Sequence, residues 1–165
     1  VNVADTGSAE LYGPTDTLTN AGTFETVGGA DNGIYLRTNV TNTGSMTIDG
    51  ITTDDGAGGS TTVTNEGTFS VADGEGITFS GNSGFTQTAS AFFKPTVDSS
   101  TGVWGITGGI DQVGGTLDIT TVGSPTNGTP YNVINAATSV GGTFSTVDGT
   151  YTVTYTTTAV TAKFV

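Results

Sequence analysis

The chain of 165 residues has no cysteine and no histidine. Disulfide staples, a cysteine nucleophile, a Ser-His-Asp triad and the ordinary His/Cys zinc site are thereby excluded. Positive charge is nearly as scarce, since Arg37, Lys94 and Lys163 stand against 15 Asp and Glu and leave a net charge of -12. A surface of that sign repels phosphate backbones and anionic lipid headgroups, so nucleic acid is not an expected partner. No run of about 18 apolar residues is present to span a bilayer, and no charged-then-apolar leader opens the chain, so membrane insertion is not expected either. The first residue, Val1, is expected to follow processing or excision from something longer.

What abounds is Thr, with 37 residues, and Gly, with 27. β-Branched residues and turn formers dominate while helix formers are few, which predicts an all-β fold. The hydrophobic share of 33% is low but above that of disordered chains, so a single domain spanning 1–165 with an economical core is expected.

Three short segments repeat: "LTNAGTFETV" from Leu18, "VTNTGSMTI" from Val40 and "VTNEGTFSV" from Val63. Aligned on their glycines, they place Leu18, Val40 and Val63 in one column and Asn20, Asn42 and Asn65 in another. Gly22, Gly44 and Gly67 follow, then Phe24, Met46 and Phe69. A period of this length signals a solenoid, because one coil cannot bury its own apolar side chains while stacked coils bury one another's. The pattern predicts a single-stranded parallel β-helix with coils of about 22 residues, an interior column at Phe24, Met46 and Phe69, and a structural asparagine ladder at Asn20, Asn42 and Asn65. The four sections expected are 1–17 as an N-terminal strand or cap, 18–88 as regular coils, 89–109 as an irregular loop section, and 110–165 as late coils closed by a C-terminal hairpin. The hairpin is read from Tyr151, Val153 and Tyr155 alternating with Thr, followed after "TTT" by Val160, Ala162 and Phe164.

The "TNxGT" coils and the closing "YNVINAATSVGGTFSTVDGTYTVTYTTTAVTAKFV" resemble the β-strand-repeat regions of large secreted bacterial surface proteins, the autotransporter passengers and filamentous-haemagglutinin-like adhesins. The resemblance spans roughly 18–85 and 110–165. It implies a right-handed parallel β-helix displayed outside a prokaryotic cell, working in adhesion, fibre formation or spacing, with no common catalytic residues to transfer.

Candidate ligand sites are few. Oxygen donors on Gly-rich turns, Asp54, Asp55, Asp73 and Glu75, are the calcium candidates, although no EF-hand loop or "GGxGxD" repeat accompanies them. Those carboxylates and Asp111, with Arg37 or Lys94, are also the acidic groups a polysaccharide-cleaving β-helix would need. Each sits where Asp is expected for turn chemistry alone. The glycan candidates are the aromatics Tyr35, Phe92, Phe93 and Trp104. Rows of Thr-x-Thr such as an ice-binding solenoid carries are suggested by "TVTYTTT", but the alignment does not bring Thr columns into register.

The function expected is therefore non-enzymatic: an extracellular or cell-surface structural and adhesive solenoid. Its expected partners are a neighbouring surface protein, a glycan, or further copies of itself joined by strand addition along "VNVADTGSAELYG". No cofactor is expected other than a candidate calcium ion. The alternative is a polysaccharide-binding or polysaccharide-degrading β-helix, such as a tail-fibre-like or lyase-like module.

Overall fold

The computed structural model describes residues 2–4, 9–27, 34–49, 52–53 and 59–165, with 2–4, 9–10, 14–15, 52–53 and 104 described by backbone alone. The described residues form strands and turns and no helix. In chain order the strands are β1 (Asn2–Ala4), β2 (Ala9–Asn20), β3 (Thr23–Val27), β4 (Ile34–Asn42), β5 (Ser45–Asp49), β6 (Thr52–Thr53), β7 (Thr62–Asn65) and β8 (Thr68–Val71). Next come β9 (Ile77–Phe79), β10 (Gly84–Gln87), β11 (Phe92–Lys94), β12 (Thr96–Asp98), β13 (Gly102–Trp104), β14 (Ile106–Gly108) and β15 (Ile110–Val113). The last are β16 (Thr116–Leu117), β17 (Thr120–Val122), β18 (Pro130–Asn135), β19 (Ser139–Gly142), β20 (Thr146–Val147), β21 (Tyr151–Tyr155) and β22 (Ala159–Phe164).

These strands stack into a parallel β-solenoid. One sheet runs β1-β3-β5-β8-β11-β16-β20, parallel throughout. A second, of 12 strands, runs β19-β15-β10-β7-β4-β6-β9-β14-β18-β22-β21, with β2 also paired to β4. Its two halves are separate faces of the coil joined through the long β4, whose Ile34 and Tyr35 pair with β6 while Val40–Asn42 pair with β7. Each regular coil thus passes over three faces.

Register follows the sequence repeat. Phe24 pairs with Met46, Met46 with Phe69, and Phe69 with Phe93, all pointing inward. The rings of Phe69, Phe85, Phe93 and Phe144 form a cluster in the core, with centroids of contacting pairs 5.1 to 6.2 Å apart. Such pairs gain from their ring geometry beyond the apolar area they bury. Alternation is strict along β4, where every second residue is buried from Ile34 to Asn42.

Residues 89–109, expected as an irregular loop section, mostly continue the stack. β11 pairs in parallel with β8, and β14 with β9. The part that leaves the coil is the β12–β13 hairpin, which makes a small lateral sheet with β17. Its turn is held by Asp98, whose carboxylate accepts from the Ser100 amide at 2.7 Å, from Ser100 Oγ at 2.8 Å and from Thr101 Oγ1 at 2.8 Å. Those donors, the Ser100 amide first, hold the Asp98 carboxyl below its ordinary range.

At the C-terminal end β21 and β22 form the hairpin, and β22 runs antiparallel on β18. The hairpin loop closes on the coil through Ala136 N to Thr158 O at 2.8 Å and Val140 N to Thr157 O at 2.7 Å. Covering the last coil in this way satisfies backbone groups that an open edge would leave unpaired.

Candidate functional site

The asparagine columns form a continuous hydrogen-bonded line along the solenoid. Asn20 Nδ2 donates to Asn42 Oδ1 at 2.8 Å, Asn42 Nδ2 to Asn65 Oδ1 at 2.8 Å, and Asn65 Nδ2 to Gln87 Oε1 at 3.1 Å. Each amide also donates to the backbone of the next coil, Asn20 to Ser45 O, Asn42 to Thr68 O, Asn65 to Phe92 O and Gln87 to Gly114 O. Both N–H groups of each primary amide are therefore used. The fourth member, Gln87, carries no "TNxGT" signature. Its one signal was its 22-residue distance from Asn65, and its longer side chain reaches over the two extra residues that the coil contains at this turn.

The stacking explains the repeated glycine. A Cβ at Gly44 would run into the carbonyl oxygen of Gly22, and one at Gly67 into that of Gly44. Neither glycine has a positive φ, so the requirement is close approach of coils and not a left-handed backbone.

A concave site among the described residues lies where the lateral hairpin meets the coil. A cleft of about 340 Å³ is lined by Gly74, Glu75, Gly76, Ile77, Thr78, Val103, Gly105 and Thr107. Ile77 N donates to Gly105 O at 3.2 Å, tying its walls together. Thr78 and Thr107 are register partners on β9 and β14 and present adjacent exposed hydroxyl side chains. Glu75 is half-buried at the rim. Burial first, and the charge of Asp49 second, raise its pKa. The acidic neighbour of Glu75 is thus Asp49, which the sequence reading did not single out. The signal was present in the recurrence of "DG" at Asp49 and Asp73.

The remaining candidates are scattered. Asp54 and Asp55 lie outside the described residues. Asp73 is exposed in the turn before Glu75, and among the described residues no group of three potential metal ligands is assembled. Trp104 occupies a backbone position in β13 opposite Thr96, next to the cleft residues Val103 and Gly105, and its side chain lies outside the description. Tyr35 is half-buried with the Arg37 guanidinium 5.4 Å from its ring centre, and its backbone pairs with Thr53, which pairs in turn with Thr78. Tyr35 therefore shares the face of the cleft.

Phe92 and Phe93 part company. Phe92 is 45% exposed on the outside of the first sheet, whereas Phe93 is 0% exposed in the ring stack, so Phe93 is corrected from glycan candidate to core residue. The reason is the strand period of two, which sends neighbouring side chains to opposite faces. Lys94 is held by Asp118 at 2.8 Å. Asp111 is fully buried, with Oδ1 accepting from the Phe85 amide at 3.0 Å and Oδ2 without a partner. In that place Asp111 cannot meet a substrate.

Chemically the cleft offers one carboxyl, two hydroxyls and the apolar side chain of Val103, while the side chain of Ile77 is buried in the core. That set suits a polyhydroxylated ligand, whose hydroxyls would meet Glu75, Thr78 and Thr107 while its C–H surface meets Val103. Among the described residues Glu75 is the single carboxylate lining it, whereas glycoside hydrolysis ordinarily needs two flanking the bond. Comparison of the chain with family models, with curated proteins and with solved structures finds no match.

Proposed function

We propose that this chain is a non-enzymatic structural and adhesive solenoid, displayed outside a prokaryotic cell and working by contact with a neighbouring surface protein or with further copies of itself. The observation that carries the reading is the amide line from Asn20 to Gln87 running beside the phenylalanine stack. An interior of that kind resists bending and serves a part whose task is to hold shape. The similarity of its coils to autotransporter passengers and filamentous-haemagglutinin-like adhesins supports the same reading. Self-association would use strand addition along β1 and β2, each of which has one described strand partner.

The test is electron microscopy and sedimentation over a range of concentrations, with calcium and with chelator, alongside binding of protein-coated beads to bacterial cells. Filaments, oligomers or cell binding are expected. Dispersed monomers that leave cells untouched under every condition would reject the proposal.

The cleft favours a second reading, a polysaccharide-binding module using Glu75, Thr78 and Thr107. It predicts glycan-array binding that Thr107→Val weakens. Release of sugar fragments during that binding would extend the reading to a depolymerase.

A further inference from the structure

The outer side of the face formed by β2, β4, β7 and β10 carries a column of threonines. Thr19 pairs with Thr41, Thr41 with Thr64, and Thr64 with Thr86, so four threonines form one column across four adjacent strands. Two residues earlier on the same strands, Thr17 pairs with Asn39, and Thr62 with Gly84, giving a second, less regular column. The expectation that Thr columns are out of register is therefore corrected. Thr19, Thr41 and Thr64 each precede a ladder asparagine, so the column follows the coil period, and Thr86 before Gln87 extends it by one strand.

We propose that this threonine face is an ice-binding surface. Strand spacing sets its repeat at about 4.8 Å along the solenoid and about 6.6 Å along each strand, an array whose continuous column presents hydroxyl and methyl groups. Threonine is stiff at χ1, so the hydroxyls repeat in position instead of sampling several directions. No described hydrogen bond engages the hydroxyls of Thr19, Thr41, Thr64 or Thr86 within the protein, which leaves them to water. The amide line and packed rings beneath hold the lattice rigid, and a pre-organised surface loses little freedom when it meets an ordered one.

Charge separates this face from the first sheet. In a chain of net charge -12, neither column from β2 to β10 contains an ionisable residue. On the first sheet the corresponding outward column runs Glu25, Thr47, Ser70, Lys94, Asp118 and Asp148. A neutral lattice of hydroxyls and methyls complements a solid whose own surface is a neutral lattice of water, in which each hydroxyl takes a lattice position and each methyl sits over an opening in the net. A polysaccharide fits it less well, since the columns hold no aromatic platform and no concavity.

The experiment grows a single ice crystal in a dilute solution of fluorescently labelled protein and follows recrystallisation of fine-grained ice in parallel. The wild type is expected to enter the ice and restrain grain growth. Thr64→Lys should be rejected like an ordinary solute, and Thr47→Lys on the first sheet should behave as wild type, with circular dichroism establishing that both variants are folded. If Thr64→Lys fails to fold, Thr64→Ser takes its place and should adsorb less than wild type. Rejection of the wild type from ice would overturn the proposal. So would adsorption by a folded Thr64→Lys variant equal to wild type, or binding to crystalline chitin or cellulose without binding to ice.

Discussion

Asn42 donates its side-chain amide to Oδ1 of Asn65 at 2.8 Å, and both side chains are completely buried. Two coils are joined there by a bond with no competing water. Removing one partner leaves polar groups stranded on both sides, and each stranded group costs about 1–3 kcal/mol. Asn65→Ala is expected to destabilise the fold by about 3 kcal/mol or more, because Asn42 loses its acceptor while Gln87 and Phe92 lose a donor. Gln87→Ala should cost less, since its far-side partners are backbone carbonyls nearer the end of the line. Denaturant midpoints of the two variants check the order, and equal midpoints would remove the special weight given to the central amide.

The ladder glycines permit a paired test. Gly67→Ala places a methyl group against the Gly44 carbonyl and forces two coils apart, whereas Gly22→Ala meets nothing within 4 Å. The first substitution should lower stability by about 2 kcal/mol or more, as overpacking of a well-packed interior does. The second should leave it within about 0.5 kcal/mol of wild type. Thermal melts of both variants decide, and similar melting temperatures would mean that the coils are spaced by something other than these backbones.

Asp111 gives stability a dependence on pH. Burial pushes its pKa up to about 7, against the partial opposition of the Phe85 amide, and no other residue of β10, β15 or β19 is ionisable. The folded state therefore keeps its proton where the unfolded chain has already lost it, so stability falls as pH rises from about 4 to about 7 and stays low above that. The contribution over that window is about 4 kcal/mol. Asp111→Asn should lose less unfolding free energy between pH 5 and pH 8 than the wild type does. Parallel pH profiles would show that the carboxyl titrates normally.

Phe92 and Phe93 should separate sharply. Phe93→Ala opens the ring stack and is expected to cost about 3–5 kcal/mol, while Phe92→Ser on the outer face should cost under about 1 kcal/mol. Unfolding free energies of the two single variants test this, and similar losses would contradict the alternation of β11.

The sequence by itself determined the architecture. Columns of Asn, Gly and Phe recur at a near-constant distance because stacked coils place like residues above like, and that physical coincidence is visible as a period. The all-β composition and the closing hairpin were legible for the same local reasons, β-branched alternation and a tight turn. Only the tertiary structure decided what happens where the period slips. Gln87 takes up the asparagine line, Phe93 replaces Phe69 in the core after a longer turn, and Asp111 enters an interior column beside Phe85. Likewise the approach of Asp49 to Glu75 and the cleft beneath the hairpin depend on loops whose lengths vary from coil to coil. A linear alignment counts residues, whereas stacking counts strand rungs, and insertions in the turns separate the two.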